Sequence, residues 1–192
     1  MPASTPDHRS RLFIGGNLVI VAATIIALRL EGRLWWCSCG RLFLWAGDPL
    51  SSHCSQHLLD PYAFTHLLHG VGYCGILALL VPRLSARWSF TWSMLAECLW
   101  EVLENSQFVV DRYRNETAAL GYTGDSIINS VGDIAASAAG WWLARRLGWK
   151  WSIVLFITLE LVLLVWIRDN LTLNIVMLIW PMESLKHWQL GL

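Results

Sequence analysis

The chain has 192 residues, of which 55% are hydrophobic, 15% are charged and 13 are tryptophan. Soluble domains carry roughly 25% charged residues, so this composition suits a surface that faces lipid. Disorder is excluded because the chain is apolar and has no excess charge. Fourteen basic and fourteen acidic residues give a net charge of zero, which excludes a general electrostatic nucleic-acid binder as the expected class. The composition therefore predicts a membrane protein whose partners are membrane lipids, with no nucleic-acid partner.

Five apolar windows have about the 20 residues that a membrane-spanning helix needs: residues 12–30, 63–81, 88–107, 126–147 and 151–167. A sixth run, residues 171–180, is short, although residues 182–188 can extend it as an interfacial helix. The first window is too long for a signal-peptide core and lacks a small-residue cleavage site, so it is expected to be retained. We predict one all-α transmembrane domain over residues 1–192, a polytopic membrane helix bundle of five full spans plus a sixth short or complete span.

Lysine and arginine in short connections mark the cytoplasmic side of a membrane protein. If the spans alternate, one side receives the basic residues of the short connections, which are Arg9, Arg11, Arg83, Arg87, Arg145, Arg146 and Lys150. This side is predicted to be cytoplasmic, together with the N-terminus. The opposite side receives the loops 31–62 and 108–124. Most tryptophans fall near span ends, which is typical of an aromatic belt at the membrane interface.

Ionisable side chains inside three of the predicted spans are the informative residues, because a charge at a helix centre costs roughly 2.5–3.5 kcal/mol on insertion scales. They recur at helical spacing, which gives each helix one polar stripe. The stripes are Glu97, Glu101 and Glu104; then Asp125, Asn129 and Asp133; and His66 with His69, preceded by His57 and Asp60. Alternating spans place all three stripes in the outer half of the bilayer, so we expect them to converge.

Imidazoles and carboxylates are suitable ligands for zinc, manganese or iron. We expect a divalent metal to be held by His66, His69, Asp125 and Asp133, with the three glutamates Glu97, Glu101 and Glu104 as catalytic acids or bases. Four further residues are expected to bind an anionic lipid headgroup as substrate: Arg112, Arg114, Arg168 and Asn129. The competing interpretation is a polar network that only fastens helices together.

The outer loop carries a C-x-C pair, Cys37 and Cys39, followed by Cys54. If this loop is periplasmic, its compartment permits a disulfide, most plausibly between Cys54 and either Cys37 or Cys39. A three-cysteine metal site is the alternative, but it lacks a fourth ligand at a standard spacing. His53 and His57 are spaced to share a helical face, and a polar loop is the competing interpretation of that pair.

Three segments carry a resemblance to a known family. They read CSCGRLFLWAGDPLSSHCSQHLLDPYAFTHLLHG, ECLWEVLENSQFVVDRYRNETAALGYTGDSIINSVGD and RDNLTLNIVMLIWP. With these motifs the chain resembles Uncharacterised Protein Family 0314, a bacterial inner-membrane family filed as a domain of unknown function. The resemblance implies a multipass protein of the bacterial inner (plasma) membrane without a cleaved signal, and it implies no activity, cofactor or catalytic residue.

Our leading hypothesis is an intramembrane metal-dependent enzyme that acts on a lipid or lipid-linked substrate from the periplasmic side, as a hydrolase or headgroup transferase. Two alternatives come from other classes. The first is a proton-coupled transporter in which the buried acids, Glu97 above all, relay protons. The second is a membrane accessory or assembly subunit whose polar core is structural.

Overall fold

The computed structural model describes residues 8–192, and the regular structure in that part of the chain is helical. The helices are α1 (His8–Leu30), α2 (Ala63–Leu80), α3 (Ala86–Glu104), α4 (Gln107–Glu116), α5 (Ile127–Ile167), α6 (Leu171–Ile179) and α7 (Glu183–Leu190). Between residues 8 and 192, β pairing is limited to an isolated bridge between Trp45 and Leu59. The prediction of an all-α chain is confirmed for these residues.

Three helices, α1, α2 and α5, are long and apolar enough to cross a membrane. Helix α3 has 19 residues but carries the three glutamates of its polar stripe. Helix α6 has nine residues, which corresponds to about 14 Å of helix, whereas a bilayer core is about 30 Å thick. The sixth predicted span is therefore a short helix that cannot cross a bilayer by itself.

Helix α5 contains 41 residues but reverses direction at Gly148, which has φ 73° and ψ 174°. This left-handed backbone favours glycine because a Cβ atom would be strained there. The Ser152 hydroxyl donates to the Ala144 carbonyl at 3.4 Å, a contact that a straight helix could not make between residues eight positions apart. Helix α5 thus consists of two antiparallel halves, residues 127–147 and 149–167, in agreement with the two predicted windows.

Helix α2 packs closely along α5 through small residues. The space that a Cβ at Gly70 would occupy is filled by the Ser137 carbonyl and the Trp141 amide, and the Leu67 carbonyl fills the corresponding space at Gly140. The two backbones can approach this closely only because both positions lack a side chain. This contact fixes the histidines of α2 against the polar stripe of α5.

Helix α1 lies against α3 at the edge of the bundle. The Phe13 and Phe90 rings are 5.8 Å apart, and the Asn17 amide donates to the Thr91 hydroxyl at 3.2 Å. Most of α1 is otherwise exposed, as expected for a helix that packs on one neighbour and faces lipid elsewhere.

The loop 31–62 and helices α4, α6 and α7 lie at the end of the bundle where α5 begins and ends. The predicted loop 108–124 is partly helical, because Ser106 caps the start of α4 by accepting the Val109 N–H. Tyr113 of α4 is buried, and its hydroxyl donates to Asn174 of α6 at 2.6 Å. The short helices therefore form a layer over this end of the bundle.

Candidate functional site

The three polar stripes converge below this layer. His66 Nδ1 lies 2.7 Å from Glu97 Oε1 and 3.3 Å from Glu101 Oε1. His69, one turn along α2, places Nδ1 3.1 Å from Glu97 Oε2. Both glutamates are fully buried, because the polar face of α3 is directed at α2 and α5.

These side chains have the spacing of metal ligands. One ligand atom each from His66, His69 and Glu97 lies within 4.8 Å of the others, and the same is true of His66, Glu101 and Glu104. Two imidazoles and three carboxylates could hold zinc, manganese or iron. The expected metal ligands His66 and His69 therefore come together with glutamates that the sequence had assigned to acid–base work.

Several buried carboxyl oxygens in this region have neither a hydrogen-bond nor an ion-pair partner among residues 8–192: Oε2 of Glu101, Oε2 of Glu104 and Oδ1 of Asp133. Buried polar atoms are nearly always paired, because desolvation without a partner is costly. A divalent cation is a group that would satisfy them, so the donor set fits a metal ion.

A cavity of about 600 Å³ opens beside the buried histidines and glutamates. Its lining residues include His66, His69, Glu104 and Asp133, together with aromatic side chains, namely Tyr62, Trp100, Tyr113 and Tyr122. This volume lies in the range of small-molecule pockets, roughly 300–1,000 Å³, which typically combine apolar walls with a few polar groups.

Asp125 and Asn129, which the sequence assigned to metal and substrate, are held in hydrogen bonds that join elements. Asp125 accepts from the Asn105 amide and the Tyr122 hydroxyl, both at 2.9 Å. Burial raises the pKa of Asp125, while these two donors act in the opposite direction. The Asn129 amide lies 3.5 Å from Asp60 Oδ2. Asp133 alone of this stripe presents an unpartnered oxygen.

The three arginines expected to bind a headgroup are not brought to the cavity: none of them is among its lining residues in the part of the chain that the structure describes. Each donates to backbone carbonyls instead. Arg112 bonds Leu178, Arg114 bonds Tyr122 and Arg168 bonds Trp188. They connect the short helices and loops of the outer layer.

Two acids that the sequence reasoning left without a role have clear partners. Asp60 accepts from the Ser55 and Tyr62 amides, both at 2.7 Å, and so organises the approach to α2. Glu160 accepts from the Leu171 and Thr172 amides at 2.9 and 3.1 Å, which caps α6. Its isolation in an apolar window was a signal that it needed a partner, but the helix it caps could not be read from the sequence.

The disulfide that a periplasmic loop would permit is not formed, since all five cysteines are free. The Cys54 thiol donates to Asp60 Oδ2 at 3.7 Å. Cys37 instead lies 3.6 Å from His53 Nδ1. Four side chains are grouped here, Cys37, Cys39, His53 and His57, and we name them the loop cluster. The sequence showed both pairs but not that the loop folds back to unite them.

The chain was compared with known proteins. A family model described as "Protein of unknown function (DUF2585)" matches residues 28–191. A UPF0314 protein of Sinorhizobium fredii is 42% identical over 99% of this chain and 98% of its own length. UPF0314 proteins of Paracoccus denitrificans and Rhizobium etli are 43% and 42% identical, over 96% and 100% of this chain and 95% and 100% of their own lengths. No solved structure matches this chain.

Proposed function

Since the chain belongs to the UPF0314 (DUF2585) family, whose description states no activity, we propose a function from the site. The protein is a multipass inner-membrane enzyme that uses a divalent metal to act on a lipid or lipid-linked substrate from the periplasmic side. The observation that carries this proposal is the buried group of His66, His69 and Glu97 beside a cavity of about 600 Å³.

The proposed topology has five crossings: α1, α2, α3 and the two halves of α5, with the N-terminus in the cytoplasm. Each has 18 to 23 residues when the halves of α5 are counted as 127–147 and 149–167. Basic side chains at the Gly148 turn support this orientation, with Arg146 and Lys150 over the rings of Trp142 and Trp149. Helices α6 and α7 then remain on the periplasmic side with the cavity.

In the proposed site, His66, His69 and Glu97 hold the metal. The ion supplies Lewis acidity and offsets the negative charge of the buried acids. Glu104 lies both within ligand distance of His66 and on the cavity wall, so we assign it the transfer of protons to and from the substrate. Asp133 faces the same cavity and positions the polar part of the substrate.

The anionic headgroup is assigned to the metal rather than to arginine. Arg112, Arg114 and Arg168 are occupied by backbone carbonyls. The cavity lining includes four acids, Glu104, Asp125, Asp133 and Asp169, and contains no lysine or arginine among the described residues. A phosphate or carboxylate would be repelled there without a cation. The metal is therefore required for binding such a headgroup as well as for the reaction.

Elemental analysis of the detergent-purified protein tests the metal. We expect the double variant His66→Ala/His69→Ala to contain one divalent ion per chain fewer than the wild-type protein, and His187→Ala, whose exposed histidine lies in α7, to contain as many as the wild-type protein. If the folded double variant contains as much metal as the wild-type protein, the proposal is contradicted.

A second measurement separates an enzyme from the alternatives. Glu104→Gln should keep the metal and the fold but lose turnover of membrane-lipid extracts, because glutamine cannot transfer the proton. A structural polar core would instead lower the amount of folded protein in every variant. A proton-coupled transporter would show pH-gradient-driven flux in proteoliposomes that Glu97→Gln abolishes.

A further inference from the structure

The loop cluster is a second group of metal-ligating side chains, and the proposed enzyme site does not use it. We propose that Cys37, Cys39, His53 and His57 form a structural zinc site that holds the loop 31–62 together. Two thiols and two imidazoles are a ligand set that zinc prefers, and four protein ligands leave no open position, as in structural sites. This proposal goes beyond the proposed function and does not depend on it.

The distances support a common ion. Cys37 Sγ lies 3.6 Å from His53 Nδ1, and His53 Nδ1 lies 3.0 Å from His57 Nε2. All four ligand atoms lie within 4.8 Å of one another. Tetrahedral zinc with the usual bond lengths has sulfur–nitrogen edges of about 3.6 Å and nitrogen–nitrogen edges of about 3.4 Å. The side chains therefore already lie near the positions that such an ion requires.

The surroundings of the two sulfurs suit thiolate ligands. The Cys39 amide donates to Cys37 Sγ and the Arg41 amide donates to Cys39 Sγ, both at 3.4 Å. Backbone N–H groups directed at sulfur stabilise the negative charge of a metal-bound thiolate and orient it. The spacing is C-x-C-x13-H-x3-H, in which the histidine pair matches common zinc sites and the cysteine pair is one residue shorter.

Zinc binding would change the protonation of the side chains in the loop cluster. Without metal, the Phe43 N–H donates to His57 Nδ1 at 3.2 Å, which leaves the ring proton on Nε2, facing His53. When zinc binds Nε2, that proton moves to Nδ1 and the Phe43 bond is lost. The two cysteines each release one proton to solvent, so that loading releases two protons in all.

A structural zinc ion would stabilise this loop, because residues 31–62 contain no helix and only one isolated bridge. The same loop contacts the start of α5: the Leu34 carbonyl accepts from the Ile127 amide at 2.8 Å and the Ser55 carbonyl accepts from the Ser126 amide at 2.9 Å. It also supplies part of the cavity wall, including Cys54. Zinc would therefore fix the outer wall of the cavity without touching the buried histidines of α2.

Cobalt substitution of the purified full-length protein tests the site. The protein is prepared under reducing conditions, stripped with a chelator and titrated with Co²⁺. We expect one equivalent to produce a thiolate-to-cobalt charge-transfer band that Zn²⁺ then abolishes. The double variant Cys37→Ser/Cys39→Ser should lose the band. Cys54→Ser, in the same loop but outside the cluster, should keep it.

The variant His66→Ala/His69→Ala separates this proposal from the proposed function. It should retain the charge-transfer band, because the buried site contains no thiol, even though it loses the enzyme-site metal. If the band is present and the buried site binds no metal, only the proposed function fails. If the band is absent in reduced wild-type protein, only the zinc proposal fails.

Alkylation of the wild-type protein covers the case in which the cysteine variant does not fold. Cys39 is exposed in the structure, so an alkylating reagent should reach it unless a metal holds the sulfur. Protection of Cys39 by zinc, lifted by a chelator, would support the site. Equal alkylation of Cys39 with and without zinc would overturn it.

Discussion

Asp169 shows how burial and hydrogen bonding compete at one carboxyl group. It follows the second half of α5 and accepts from the Tyr62 hydroxyl at 3.2 Å and from the Asn170 amide at 2.9 Å. Burial is the larger effect and raises the pKa of Asp169 to about 6. The folded protein therefore binds a proton here that the unfolded chain releases near pH 4.

This shift predicts that stability falls as pH rises from about 4 to about 6. Below this window Asp169 is protonated in both states. Within this window Asp169 is ionised in the unfolded chain but still protonated in the folded protein, which favours unfolding. The rise of its pKa from 3.8 to about 6 corresponds to about 3 kcal/mol, at 1.36 kcal/mol per pKa unit. Asp169→Asn cannot ionise, so the variant should gain stability over wild type across this window. Denaturant titration in detergent at several pH values measures the difference.

The matched control for Asp169→Asn is Asp48→Asn. Asp48 is exposed, and it also accepts a backbone amide, that of Leu50 at 3.0 Å. Asp48→Asn therefore removes a carboxylate that makes a comparable backbone hydrogen bond at the surface. If both variants follow the wild-type curve, the raised pKa of Asp169 is refuted.

At the scale of helices, the contact between α2 and α5 depends on two missing side chains. Gly70 faces the backbone of Ser137 and Trp141, whereas Gly72, on the same helix, has no neighbouring atom within 4 Å of the position of a Cβ. Gly70→Ala should therefore destabilise the protein by about 1–3 kcal/mol through overpacking. Gly72→Ala should be neutral or stabilise it by up to about 1 kcal/mol, because alanine favours helix. Denaturant titration of the two variants measures the contrast, and equal stabilities would show that α2 and α5 do not touch at Gly70.

The cap of α6 is a second contact through which one helix stabilises another. Glu160 of α5 accepts from two amides at the α6 N-terminus, where a negative charge also favours the helix dipole. Glu160→Ala should cost about 1–2 kcal/mol of stability, the usual effect of removing a cap. Glu183→Ala is the control, because Glu183 also starts a helix, α7, but its side chain is 72% exposed. A loss of stability in Glu183→Ala as large as in Glu160→Ala would refute a specific cap.

The helices could be predicted from the sequence where apolar length decides the outcome, as in α1, α2 and the two halves of α5. The convergence of the histidine and glutamate stripes followed from helical spacing and alternating direction, but the pairing of both histidines with Glu97 rather than with Asp125 or Asp133 did not. Helix α4 could not be predicted, because its stability comes from the Ser106 cap and from packing of Tyr113. The loop cluster could not be predicted either, since periodicity carries no information about how an irregular loop folds back on itself.

Across the whole molecule, the buried acids and the basic turn at Gly148 lie at opposite ends, although the outer layer also contains Arg112, Arg114 and Arg168. The buried acids gather under the outer layer, while Arg145, Arg146 and Lys150 surround the turn at Gly148 at the opposite end. A membrane imposes such a separation, since basic residues of short connections are retained in the cytoplasm. The cavity and the loop cluster would then share the periplasmic side, where lipid-linked substrates and metal ions reach them without crossing the membrane.

This arrangement predicts which positions a membrane-impermeant thiol reagent can reach in intact cells. Ser52→Cys, in the outer loop, should react in intact cells, and Lys150→Cys, beside Gly148, should react only after permeabilisation. Both residues are exposed, so accessibility to the reagent depends on the side of the membrane. Both variants are made in the wild-type protein, and the labelling of the wild-type protein, in which Cys39 is exposed, is subtracted. If only Lys150→Cys is labelled in intact cells, the proposed orientation is wrong and must be reversed. If both positions are labelled in intact cells, the two ends of the first half of α5 lie on the same side of the membrane.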